Sequence, residues 1–145
     1  MKYIEKIINN IVGCCRSIVD DIEPMRPLWL DYSNSNFCDN DLKRLTHSRE
    51  CKGIYYIDLS NTKITIEGLK YLDKSSIFGT YNLKYNYNSE LNKLENKITI
   101  KISNTSIKDI DNPELNELKK PILTNLYVNN WNDTIEGIRT FIFIV

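Results

Sequence analysis

The pentapeptide TIEGL at 65–69 returns as TIEGI at 134–138, 69 residues later. Such an echo is improbable by chance in a chain of 145 residues. It points to an architecture built by repetition, which governs everything else that can be read from the sequence. Extending the echo outward aligns IDLSNTKITIEGLKYL (57–72) with LYVNNWNDTIEGIRTF (126–141). Ile57, Leu59, Leu69 and Leu72 then face Leu126, Val128, Ile138 and Phe141. Ile64 faces Asp133 and breaks the pattern.

An earlier copy, LDYSNSNFCDNDLKRL (30–45), sits 27 residues before the first. A further copy is IKISNTSIKDIDNPELNEL (100–118), whose first half follows IDLSNTKI closely. Between them YNLKYNYNSELNKL (81–94) reads as a degenerate unit with Tyr81 and Leu83 as its strand pair. Each unit has two halves. A short stretch alternating with period two reads as a strand, and an apolar pair three apart, such as Leu69/Leu72 or Leu115/Leu118, reads as helical turns. A polar SNT-like turn joins them. Neither half can bury its own apolar side, but stacked units cover one another. Asn34, Asn61, Asn104 and Asn130 recur just past the strand, where asparagine bonds local backbone in bends.

These residues resemble a leucine-rich repeat. The pattern L-x-x-L-x-L-x-x-(N/C/T)-x-L, followed by a G-L-x-x-L turn, maps onto Ile54, Ile57, Leu59, Thr62, Ile64, Gly68, Leu69 and Leu72. Pro27, Leu30, Tyr32, Ser35, Phe37, Leu42 and Leu45 supply a second unit. Ile100, Ile102, Thr105 and Ile107 begin another, and Leu123, Leu126, Val128 and Trp131 the last. Where the family carries an asparagine ladder, this chain has Ser35, Thr62, Thr105 and Trp131. The resemblance implies an α/β fold, a short solenoid over 25–145 of about five units. Parallel strands would line its concave face, and helical or irregular turns its convex face.

Residues 1–24 stand apart. Tyr3, Ile4, Ile7, Ile8, Ile11, Val12, Cys15, Ile18, Val19 and Ile22 keep the three/four spacing of an amphipathic helix, which Pro24 and Pro27 end. A terminal repeat needs its open side covered, so a capping helix is expected here. The polar face mixes charges, which disfavours a membrane-surface role. The opening MKYIEKIINNIVGCC makes a poor signal peptide, because Asn9, Asn10 and Glu5 interrupt it. No apolar run is long enough to span a bilayer. The closing FIFIV (141–145) reads as a last strand or a sticky edge, buried against the final repeat or a partner.

Chemistry finds little support. With 41% apolar and 26% charged residues the composition is that of a folding chain. Nineteen basic and nineteen acidic residues cancel, so no global charge draws it to nucleic acid or acidic lipid. Cys14, Cys15, Cys38 and Cys51 form no CxxC pair, and the single histidine, His47, completes no zinc site. Free thiols are expected, which places the chain in a reducing, cytoplasmic compartment. No phosphate loop, dinucleotide fingerprint, HExxH or GxSxG occurs, so no catalysis and no cofactor are expected.

The stack itself supplies a surface. Residues beside the apolar pair of each strand face away from the core. On the concave face these include Trp29, Asp31, Tyr56, Asp58, Lys84, Lys101 and Tyr127, the candidate partner-binding residues. Aromatic anchors among mixed polar groups suit protein recognition. Two functions stay open at this point. One is a non-enzymatic adaptor binding a protein through that face, with no small-molecule substrate. The other is a permanent small subunit of a large assembly, such as a ribosome-like ribonucleoprotein or a respiratory or ATP synthase-type complex, where alone RNA contact is expected.

Overall fold

A computed structural model describes residues 28–82, 84–128 and 133–145. The helix expected over 1–24 lies outside these residues, as do Pro27, Leu83, Asn129, Asn130 and Trp131. Within the described residues the chain is mixed α/β, with a six-stranded, mainly parallel sheet and three α-helices.

The first unit runs from β1 (Leu28–Asp31) through α1 (Asp39–His47) and a 3-10 helix (Arg49–Gly53). The next begins with β2 (Ile54–Asp58) and α2 (Ile66–Lys74). A hairpin follows, from β3 (Asn86–Asn88) into β4 (Lys93–Lys101). Then come α3 (Pro113–Leu118), β5 (Ile122–Tyr127) and β6 (Thr134–Ile144). The sheet order is β1-β2-β4-β6-β5, with β3 paired to the start of β4.

The register defines the rungs. Leu30 pairs with Ile57, Ile57 with Ile100 and Ile100 with Phe143, all in parallel. These four are buried, and the helix residues Leu42, Leu45, Leu69, Leu72, Leu115 and Leu118 pack into the same core. The helices therefore cover one face of the sheet. Burying each such side chain contributes about 1.5–3 kcal/mol relative to exposure.

Three turns are built alike. After each strand an asparagine takes the left-handed conformation, with φ of 58° at Asn34, 56° at Asn61 and 54° at Asn104. Asparagine tolerates this region better than other residues carrying a Cβ. One residue later a hydroxyl ties the turn. Ser35, Thr62 and Thr105 donate to the carbonyls of Tyr32, Leu59 and Ile102 at 2.5, 2.6 and 2.8 Å. The turns also join one another. Asn34 N–H donates to the Ser60 carbonyl and Asn61 N–H to that of Ser103, each at 2.9 Å. Asn61 Nδ2 donates to Asn34 Oδ1 at 2.7 Å. Ser35, Thr62 and Thr105, singled out in the sequence at this position, thus each bond a turn carbonyl.

Two expectations are corrected. Among the described residues of 81–94 no parallel rung forms. Tyr81 is buried outside any strand, and Asn86–Asn88 instead pairs antiparallel with Lys93–Glu95. The 126–128 segment is not a parallel rung either. Leu126 and Tyr127 belong to β5, antiparallel to β6 at the sheet edge, and β6 takes the place beside β4. The reason lies in RTFIFIV, a β-branched and aromatic run. Six of its residues, Arg139 to Ile144, pair with Asn96 to Lys101, and Phe141 and Phe143 are buried.

The echo that suggested the repeat therefore adopts two structures. TIEGL opens α2, with Thr65 at its N-cap, whereas TIEGI opens β6. Both glycines permit close approach. A Cβ on Gly68 would stand 2.1 Å from Asp39 Oδ1, and one on Gly137 would stand 2.4 Å from Leu126 Cδ1 and 2.9 Å from the Leu94 carbonyl.

Candidate functional site

The face opposite the helices carries two registered rows. Trp29 pairs with Tyr56, Tyr56 with Thr99 and Thr99 with Ile142. One pleat further along, Asp31 pairs with Asp58, Asp58 with Lys101 and Lys101 with Ile144. Inward neighbours of these residues are buried, so period two fixes which side chains face out. Trp29, Ile142 and Ile144 are exposed, and Tyr56, Asp31, Asp58, Thr99 and Lys101 are half-buried.

Aromatic and acidic groups share one end of this face. The Trp29 and Tyr56 rings stand 5.5 Å apart, tilted by 35°. Next to them Asp31 Oδ1 accepts from Ser33 N–H at 2.9 Å and from the Ser33 hydroxyl at 2.5 Å. Asp58 Oδ1 accepts from Ser60 N–H at 2.9 Å. The same Asx-type turn thus holds both carboxylates in place. They sit directly opposite on adjacent strands, an arrangement that repels. Among the described residues no lysine or arginine is within ion-pair distance of either. Lys101 likewise makes no ion pair among the described residues, although it stands beside Asp58 in register.

Five of the seven residues expected on the face are brought together here: Trp29, Asp31, Tyr56, Asp58 and Lys101. Lys84 and Tyr127 are not. Lys84 is exposed in the segment leading to β3 and belongs to no strand. Tyr127 ends β5, far along the sheet from the rows. The Lys52 ammonium lies 4.2 Å from its ring centroid, and Tyr85 hydroxyl donates to its carbonyl. Burial lowers the pKa of Lys52, with the Arg49 charge adding to the effect. Both misplacements follow from the two rungs that did not form.

Ile142 and Ile144 complete the rows and were missed. Their signal was present, because Phe141 and Phe143 alternate with them in a stretch recognisable as a strand. The sequence reads FIFIV as a last strand or a sticky edge, but the echo pairs Phe141 with Leu72 of a helical turn, so the outward residues of the run were not set on the face. At the other exposed groups, His47 Nδ1 lies 2.7 Å from the Lys43 carbonyl within α1. Of the cysteines, Cys38 is half-buried and Cys51 buried, both as free thiols.

No family model, curated protein or solved structure matches the chain. Among the described residues no helix is long and apolar enough to cross a membrane. The face must therefore be read from its own chemistry. An aromatic pair and two carboxylates held by backbone N–H groups can seat a cation by ring-face attraction and charge. The isoleucines at the far end can take an apolar side chain.

Proposed function

We propose that this chain is a protein-binding module of the leucine-rich-repeat kind, non-enzymatic, which takes a protein partner on the sheet face opposite the helices. The observation that carries the reading is the alignment of Trp29–Tyr56–Thr99–Ile142 beside Asp31–Asp58–Lys101–Ile144. Repetition of the turn at Asn34, Asn61 and Asn104 supports the repeat kinship. Trp29 and Tyr56, at one end of the face, are the residue types that dominate binding energy when a partner covers them. Buried, unpaired Cys51 fits a reducing compartment such as the cytoplasm.

A photo-reactive benzoyl-phenylalanine placed at Tyr56 tests this in living cells, with the same group at exposed Asn116 on α3 as control. The expected result is a discrete protein adduct from position 56, weakened by Trp29→Ala, and none from 116. Equal adducts from both positions, or adducts from 116 alone, overturn the reading.

The subunit alternative has one observation in its favour. Ile142, Ile144 and Val145 are 40%, 42% and 39% exposed and lie together where β6 ends. A permanent neighbour would cover them. In that case the adduct from position 56 co-sediments with a large particle and none is found free.

A further inference from the structure

The two carboxylates raise a question that the binding reading leaves open, namely what covers them. Adjacent parallel strands run about 4.8 Å apart, so Asp31 and Asp58 confront each other at close range. Their Oδ1 atoms accept from Ser33 and Ser60 N–H groups, which fixes the side chains rather than letting them swing apart. No cation among the described residues pairs with them. Trp29 and Tyr56 wall the same spot on the preceding row. Lys101 follows on the third strand and Ile144 on the fourth. The row is therefore polarised as acid, acid, base, apolar across four strands.

Resting on the binding-module reading, we infer that the partner presents an extended segment crossing these strands, with a lysine or arginine against Asp31 and Asp58. Its next residue on the same side is acidic and meets Lys101, and the one after that is apolar and meets Ile144. The spacing supports this assignment. Same-side residues of an extended chain repeat about every 6.7 Å, and the midpoint of the Asp pair lies about 7 Å from the Lys101 strand at 4.8 Å per strand. The third same-side residue then arrives within about 2 Å of the Ile144 strand. The recognised pattern is basic-x-acidic-x-apolar, readable in either chain direction. Charge complementarity chooses this occupant. A segment of opposite polarity would place an acid on two carboxylates and a base on Lys101, and like charges across an interface select strongly against a partner.

A displayed library of random linear dodecapeptides, sorted on the purified full chain, tests the inference. Asp31→Asn and Asp58→Asn together make the informative variant. Asparagine Oδ1 still accepts from Ser33 and Ser60 N–H, so the turns keep their bonds while both charges go. The expected outcome is enrichment of Lys or Arg two positions from Asp or Glu and four from an aliphatic or aromatic residue. A selected peptide should bind the double variant at least about tenfold more weakly, as loss of a positioned charge pair does. Asp31→Lys with Asp58→Lys should instead select an acid at the first position. No enrichment on the wild type, or a selected peptide that binds the asparagine variant equally, overturns the inference. If Tyr56 still yields its adduct in cells in that case, only the peptide pattern falls. If Tyr56 yields none, the binding-module reading falls as well.

Discussion

Arg139 Nη1 donates to the Ser75 carbonyl at 2.7 Å, joining the last parallel strand to the end of α2 across 64 residues of sequence. The same nitrogen donates to the Phe78 carbonyl at 3.0 Å, and Nη2 to those of Leu72 and Asp73 at 3.3 and 3.4 Å. The side chain is 1% exposed, and the guanidinium lies 5.1 Å from the Phe141 ring centroid. Burial lowers its pKa from the ordinary arginine value, opposed by the nearby Asp73 charge. A cation at a helix C-terminus meets the negative end of the helix dipole, and its fork satisfies carbonyls the helix leaves open.

Arg139→Ala should therefore cost at least about 3 kcal/mol, since several buried carbonyls lose their donor together. Arg139→Lys should recover less than half of that, because an ammonium cannot reproduce the planar fork. Urea unfolding measures both. A loss under about 0.5 kcal/mol for the alanine variant would mean that the contact is dispensable.

Asp39 of α1 accepts from Thr65 N–H at 2.8 Å and also from its hydroxyl, so one helix caps the next. Gly68 leaves room for it. Gly68→Ala should destabilise by about 1–3 kcal/mol through the clash with the Asp39 carboxylate. Asp39→Ala alone should cost about 1 kcal/mol as a lost cap. The double variant should cost clearly less than the sum, because removing the carboxylate removes the clash. Strict additivity in a double-mutant cycle would refute the coupling.

Asn61 tests the turn stack. Its φ of 56° suits glycine but not a β-branched residue. Asn61→Val should lose about 1–3 kcal/mol from backbone strain. Asn61→Gly should lose only the 2.7 Å side-chain bond to Asn34, within about 1 kcal/mol. Thermal unfolding that ranks valine at or above glycine would contradict the left-handed assignment.

Cys51 makes stability fall in alkali. Burial pushes its thiol up to about 12 from an ordinary 9.0. Below pH 9 the thiol is neutral in both states and the advantage of the fold is complete. Above it the unfolded chain releases the proton first, binds fewer protons than the native state, and becomes favoured. The slope approaches about 1.4 kcal/mol per pH unit between the two values. Cys51→Ala lowers stability at pH 7 but should flatten the decline from pH 9 to 10. An unchanged slope there would exclude the thiol as its source.

The parallel strands and their turns were legible where local chemistry and period agreed. Ile57, Leu59, Ile100 and Ile102 each stand in a strand-like doublet followed by S-N-T, and the hydroxyl-and-asparagine turn follows directly. The rest was hidden by competition between levels. TIEGI looked like TIEGL, yet five residues carry less weight than the RTFIFIV run after them, which cannot leave Phe141 and Phe143 unburied. Arg139 was illegible for another reason. Its partners are backbone carbonyls of Leu72, Asp73, Ser75 and Phe78, which have no sequence signature. Trp29, Asp31, Tyr56, Asp58 and Lys101 stand in the two rows, a placement that depends only on alternation. Lys84 and Tyr127 stand outside the rows, because their expected places depended on rungs at 81–94 and 126–128.

Cross-strand nuclear Overhauser contacts in solution test the rung order directly. Parallel-sheet contacts are expected from Ile57 to Ile100 and from Ile100 to Phe143, and antiparallel ones between Leu126 and Ile135. Parallel-sheet contacts from Ile100 to Leu126 or Val128, with none to Phe143, would dissolve both rows and the face built from them.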